Sequence, residues 1–92
     1  MKINYAPEFR DEIDSIAEYL RKWNFNLRII RDIYDEIEQK FVGKSIVGTV
    51  YSGHIRKVTI LKKNVVYFEV RNDVVEILHI KAGRQDKTPR IL

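Results

Sequence analysis

Ninety-two residues, a formal net charge of +4 and no cysteine set the first limits. One domain, 1–92, is expected, with a core of marginal size; without disulfides, hydrophobic packing must hold it together. No signal peptide is legible, and no apolar run approaches the roughly 20 residues of a membrane span, so a cytoplasmic protein with no membrane contact is expected.

The charge is unevenly placed. Residues 1–52 hold 8 Lys/Arg against 9 Asp/Glu, whereas residues 53–92 hold 9 against 4. A basic half of this kind attracts nucleic acid or an acidic protein, or it is a solvated face with no partner.

In chain order, "KINYA" (2–6) alternates polar and apolar residues and reads as a short strand. Pro7 suits the first turn of a helix, where its missing N–H costs nothing. Phe9, Ile13, Ile16, Ala17 and Leu20 then recur at helical spacing. Glu8, Asp11, Glu12 and Asp14 load the first half of that helix with acids, read here as a solvated face, and Arg21 and Lys22 close it with bases; both placements favour the helix dipole. After the short connection "WNFN", a second helix from about Asn26 carries Leu27, Ile30, Ile33, Tyr34, Ile37 and Phe41 as its buried stripe, which makes a helical hairpin. Trp23 and Phe25 in the connection are either local core or an exposed contact.

Gly43, Gly48 and Gly53 mark a loop with a brief extended piece at 46–51, and "HIRKVTILKKNVVYFEVRNDVVEILHIKAG" reads as three strands with turns near Lys63-Asn64 and Asn72-Asp73. The class is α+β: β-α-α-β-β-β, with the hairpin on one face of a small, mainly antiparallel sheet. A three-residue turn at Lys62–Asn64, with Asn64 left-handed, sets Ile60 opposite Val66 and Val58 opposite Phe68. A three-residue turn at Asn72–Val74 sets Phe68 opposite Leu78 and Val66 opposite Ile80. It is preferred because a two-residue turn would oppose Glu69 to Glu76. The helix-facing side is then Val58, Ile60, Val66, Phe68, Val70, Leu78 and Ile80. The other side carries Lys57, Thr59, Leu61, Val65, Tyr67, Glu69, Arg71, Ile77, His79 and Lys81, a mixture of aliphatic, aromatic and cationic groups suited to a partner.

The N-terminal "YAPEFRDEIDSIAEYL", the "GHIR" before the second strand, "VVYFEV" and the closing "ILHIKAGRQD" together resemble the RelE/ParE superfamily of bacterial toxins over nearly the whole chain, through order and spacing and not through one specific motif. The resemblance implies the toxin of a two-gene toxin–antitoxin module, neutralised by a cognate antitoxin. It implies one of two activities: ParE-like poisoning of DNA gyrase, or RelE-like cleavage of messenger RNA on the ribosome without a metal. "GRQD" resembles the ParE branch more. RelE-like chains commonly carry an arginine where "KNVVY" has Asn64, and a tyrosine after the last basic strand, where residues 84–92 have none.

Metal-free RNA cleavage needs a base for the 2′-hydroxyl, cations for the phosphate and an acid for the leaving oxygen. Under the nuclease alternative His79, Lys81 and Arg84 are the candidate catalytic residues, His79 because histidine's unperturbed pKa lies near neutrality. Under the ParE-like reading, which is preferred and makes the chain a binding protein and not an enzyme, Lys57, Tyr67, Arg71, His79, Lys81 and Arg84 form the target- or antitoxin-binding set. His79 has a plainer reading as a strand-surface histidine, and Arg84 as a strand-end cation. Arg56 reads as a rim residue that pairs with a helix carboxylate or binds an anion. Tyr67 and Tyr51 stack on a base or lie half buried on the sheet. His54 and His79 are too isolated to make a metal site, and neither metal nor cofactor is expected. The remaining alternative is an inactive toxin fold that only binds its partner.

Overall fold

The computed structural model describes residues 2–42 and 48–82. Seven elements follow one another: β1 (Lys2–Tyr5), α1 (Pro7–Lys22), α2 (Arg28–Lys40), β2 (Thr49–Ser52), β3 (Ile55–Ile60), β4 (Asn64–Arg71) and β5 (Val74–Ala82). The strands form one sheet in the order β1-β5-β4-β3-β2. β1 runs parallel to β5 and every other pair is antiparallel. This is the expected α+β arrangement, with the extended piece expected at 46–51 in the glycine-marked loop found as β2 at Thr49–Ser52; positions 46 and 47 lie outside the described residues. No helix among the described residues is long and apolar enough to cross a membrane.

Each helix begins and ends for a local reason. Pro7 opens α1, with Glu8 in its first turn and Arg21 and Lys22 in its last. Beyond α1, Asn24 takes a left-handed conformation (φ 59°). The Asn24 N–H then donates to the Arg21 carbonyl and the Phe25 N–H to that of Leu20. That is a Schellman closure with asparagine in the position glycine usually fills. Asn26 Oδ1 accepts the Arg28 N–H at 2.7 Å. It therefore stands outside α2 as an acceptor, and the helix starts two residues later than its apolar stripe suggests.

Phe9 and Ile13 of α1, Ile33 and Ile37 of α2, and Phe41 just after α2 pack on Ile60, Val66, Phe68, Val75, Ile77 and Ile80. Phe41 meets Phe68 edge-on, 4.8 Å between centroids. Tyr5, Phe9 and Tyr34 form a second aromatic cluster where β1 leads into α1. The Tyr5 hydroxyl in it is buried, and burial first, then the Glu38 carboxylate, pushes its pKa up to about 12.

The register corrects three expectations. In the first hairpin the turn is Leu61–Lys63. Leu61 (φ 49°) and Lys62 (φ 68°) take the left-handed conformations. Asn64 is already in β4, buried, opposite Ile60. Val58 therefore faces Val66, and Arg56 faces Phe68. That slip of two residues keeps the paired side chains of β3 and β4 on their expected faces, because the strand period is two, whereas Leu61, expected on the outer face, lies in the turn and packs against the core.

In the second hairpin the turn is the two-residue Asn72-Asp73, both at positive φ (47° and 65°), the primed geometry that matches strand twist. Glu69 does stand opposite Glu76. Arg71 relieves the clash by bonding Glu69 Oε2 at 2.9 Å with Glu76 close enough to act on it as well. Val74 is thus spared the left-handed conformation that a three-residue turn would impose on a β-branched side chain.

A bulge then inserts Leu78. Phe68 pairs with Ile77, whereas Tyr67 pairs with His79 and Val66 with Ile80. Ile77 turns into the core at 0 % exposure, and Leu78 joins Glu69, Arg71, Val74 and Glu76 on the outer face, the reverse of the expected assignment for both.

Two consecutive non-glycine residues in left-handed backbone store strain of about 1–2 kcal/mol each. Lys62→Gly is therefore expected to stabilise the fold by up to about 1 kcal/mol, the gain being reduced by glycine's greater freedom in the unfolded chain. An unchanged or lower urea midpoint would contradict this.

Candidate functional site

The outer face of the sheet brings four of the sequence-selected residues together. Thr49, Lys57, Tyr67 and His79 are successive cross-strand partners on β2, β3, β4 and β5. Thr59, Val65 and Lys81 form the next row. Cross-strand neighbours lie about 5 Å apart, so Lys57, Tyr67, His79 and Lys81 make one continuous surface. Tyr51 extends it: its ring meets Tyr67 edge-on at 4.9 Å and lies under the Lys57 ammonium at 5.7 Å. More than half of Tyr51 is exposed.

β2 can carry Tyr51 there because of what precedes it. A Cβ at Gly48 would collide with the Lys57 carbonyl oxygen. The Gly48 carbonyl in turn accepts the Arg56 Nη2–H at 3.0 Å. Arg56 thus ties the start of β2 to β3 and bonds no helix carboxylate among the described residues. Arg71, placed in the binding set from the sequence, sits farther along β4 and is paired with Glu69; the structure does not bring it to Lys57, Tyr67 and His79. Arg84 lies outside the described residues.

The residue the sequence did not reveal is Glu12. β1 accompanies β5 only as far as Ile77. The Ala6 N–H then bonds the Ile77 carbonyl at 2.8 Å, the chain turns into α1, and no strand among the described residues lies beside the rest of that β5 edge. Glu12 reaches down from α1 to fill the gap. Its Oε1 accepts the Ile80 N–H at 2.9 Å. Its Oε2 lies 3.1 Å from His79 Nδ1 and 3.0 Å from Lys81 Nζ. One carboxylate therefore satisfies an edge amide and draws together the two groups with the best chemistry on the face. Glu12 is not part of a solvated acidic face. A faint signal lay in its spacing: it falls three residues after Phe9 and next to Ile13, at the margin of the buried stripe.

Burial pushes the Glu12 pKa up, but the Ile80 N–H, Lys81 and His79 outweigh it and hold the carboxyl below its ordinary 4.5. An acid depressed by folding contributes stability that is complete above its unfolded value and is lost as pH falls through the lower folded value. Glu12→Ala leaves the Ile80 amide unpaired and should cost about 1–3 kcal/mol. Glu12→Gln keeps an acceptor and should cost less, because Lys81 and His79 are each nearly half exposed and solvent screens them. Urea titrations between about pH 7 and pH 3 should show the unaltered chain losing an increment of stability that Glu12→Gln lacks. Parallel losses in both would place the depressed carboxylate elsewhere.

No protein-family model matches the chain, and no curated protein matches it. Solved structures do. A chain of the chromosomal ParDE TA system from P. aeruginosa superposes with a TM-score of 0.70 at 16% identity, over 89% of this chain and 95% of that one. The conserved hypothetical protein HP0894 from Helicobacter pylori superposes with a TM-score of 0.55 at 13% identity, over 89% and 93%. Nearly the whole of each chain takes part in both matches, so the likeness is one of complete domains, and this chain shares the fold of those two chains.

Proposed function

We propose that this protein is the toxin of a type II toxin–antitoxin module, ParE-like, which arrests growth by binding DNA gyrase and is neutralised by a cognate antitoxin. The fold shared with a chain of a ParDE system supports the class. The observation that carries the choice of mechanism is the Glu12 clamp. A metal-free ribonuclease needs free cations around the scissile phosphate. Here the carboxylate at His79 and Lys81 neutralises part of that charge and sets a negative group where the phosphate would lie. A docking face tolerates the same clamp, which stiffens β5 and leaves Lys57, Tyr51 and Tyr67 to make contact. The RelE-like reading draws on the same face, because Lys57, His79 and Lys81 share it. It requires Glu12 to release its partners or to act itself as a proton acceptor.

The antitoxin segment that suits this surface carries aliphatic and acidic residues. Apolar burial then supplies most of the affinity, and charge speeds encounter. Induced expression in a bacterium is expected to halt growth, and co-expression of the protein encoded beside it to restore growth. Hydrogen exchange in the resulting complex should slow around Tyr67 and His79. Normal growth at high levels of folded protein would overturn the toxin reading. Protection confined to the outer side of the helices would overturn the placement of the antitoxin.

A further inference from the structure

The tip of the helical hairpin carries an apolar segment that the sheet's outer face does not include. Every residue from Arg21 to Arg28, "RKWNFNLR", is exposed. Trp23 is 58 % exposed and Phe25 56 %, so neither is local core. The Schellman closure and the bond from the Arg28 N–H to Asn26 fix the path of this connection; its side chains are therefore presented and not left loose. The Trp23 ring lies 6.4 Å from that of Tyr19. Phe25 lines a cleft with Ile16, Leu20 and Ile29, which carries the apolar surface inward from the tip.

Cations frame this segment from three elements. Arg21 and Lys22 end α1, and Arg28 and Arg31 lie in the first turn of α2. Lys62 and Lys63 belong to the β3–β4 turn, where Lys63 lines the same cleft as Phe25. All six are exposed. Residues 19–31 contain no Asp or Glu; the flanking acids are Glu18 and Asp32. The ion pairs among the described residues are made by Glu69 and Glu12 and involve none of the six cations. Large exposed apolar side chains ringed by unpaired cations suit a partner that is anionic at its surface and apolar beneath it.

We propose that the hairpin tip docks on the surface of an anionic phospholipid bilayer, with Trp23, Phe25 and Leu27 entering the boundary between headgroups and acyl chains and the cations meeting lipid phosphates. Tryptophan is well suited to that boundary. A bilayer is fluid, so it accepts three side chains of different size at alternate positions without a matching socket. A second copy of the chain would set cation against cation. Single-stranded nucleic acid would stack on Trp23 and Phe25 but would leave Leu27 and the aliphatic cleft without a use. Each Lys or Arg held near an anionic surface strengthens binding about fivefold, so attachment is reversible and depends on lipid charge. The lack of an apolar span, which set the expectation of no membrane contact, bears on crossing a bilayer and not on lying against one. This inference does not rest on the toxin reading and survives or fails independently of it.

Trp23 is the only tryptophan in the chain, so the unaltered protein reports on its own tip. With vesicles of equal parts phosphatidylcholine and phosphatidylglycerol, its emission is expected to shift to the blue and to be quenched by brominated acyl chains. Binding should be at least about tenfold tighter than to pure phosphatidylcholine and should weaken with added salt. Phe25→Asp with Leu27→Asp, and separately Arg21→Glu with Lys22→Glu, should each weaken it at least about tenfold, with circular dichroism unchanged. Should either pair fail to fold, the quenching of the unaltered chain still decides. Absence of binding, or equal binding to both vesicles, would overturn the proposal. So would binding that leaves Trp23 unshifted and unquenched, because another basic surface would then hold the vesicle. A stronger response to single-stranded DNA than to the anionic vesicles would overturn it in favour of nucleic acid.

Discussion

Phe68→Ala is expected to leave the protein barely folded. The side chain is fully buried, edge-on to Phe41, and opposite Ile77 in the strand pairing. Truncating a buried phenylalanine costs about 3–5 kcal/mol in transfer and cavity terms. A domain of this size has only about 5–14 kcal/mol in total, and each kcal/mol moves the melting temperature by about 4–8 °C. The substitution should therefore lower the Tm by roughly 12–40 °C. The exposed Val42→Ala should remain within about 0.5 kcal/mol of the unaltered chain. A Phe68→Ala loss below about 1 kcal/mol would mean that the Phe41–Phe68 contact is not the centre of the core.

His79→Ala is expected to leave growth arrest nearly intact, and Tyr67→Asp to abolish it. Tyr67 sits in the middle of the Lys57–Tyr67–His79 row with Tyr51 against its edge. A central aromatic of a docking surface commonly costs about 2 kcal/mol or more when lost, and an added carboxylate opposes an acidic partner as well. His79 is already engaged by Glu12, so deleting it removes little contact area. Were His79 a general acid or base, its loss would cost about 10²-fold or more in cleavage rate, and arrest would fail. Circular dichroism and thermal melts of both variants separate loss of function from loss of fold.

The fold was legible wherever periodicity and punctuation agreed. The run Phe9-Ile13-Leu20 after Pro7, and Ile33-Ile37-Phe41, each fixed a helix face, and the glycine-rich loop and two turns separated the strands. Strand register was less legible because it depended on turn conformations that ordinary residue preferences disfavour. Leu61 and Lys62 in left-handed backbone contradict propensity, and the Glu69–Glu76 juxtaposition looked too costly until Arg71 was in place beside it. The Leu78 bulge left no trace, since Ile77 and Leu78 are equally apolar and only the pairing decides which of them enters the core.

The site was legible in its strands and hidden in its helix. Lys57, Tyr67, His79 and Lys81 share a face because alternation along neighbouring strands is a short-range rule, and it survived a two-residue slip. The contact from Glu12 to Ile80 joins residues 68 positions apart, and it exists only because β1 stops short at Tyr5. That is a property of topology; the local spacing hints that Glu12 lies at the margin of the buried stripe but does not name its partner.

The proposed docking on gyrase, as against chemistry on RNA, can be read out with the purified chain in two reconstituted systems: gyrase with plasmid DNA, and ribosomes translating a defined message. The chain is expected to trap gyrase-cleaved DNA and to block supercoiling, Tyr67→Asp to abolish both effects and His79→Ala to retain them, and the message is expected to stay intact. Codon-positioned cleavage of the message, abolished by His79→Ala, with gyrase unaffected, would contradict it.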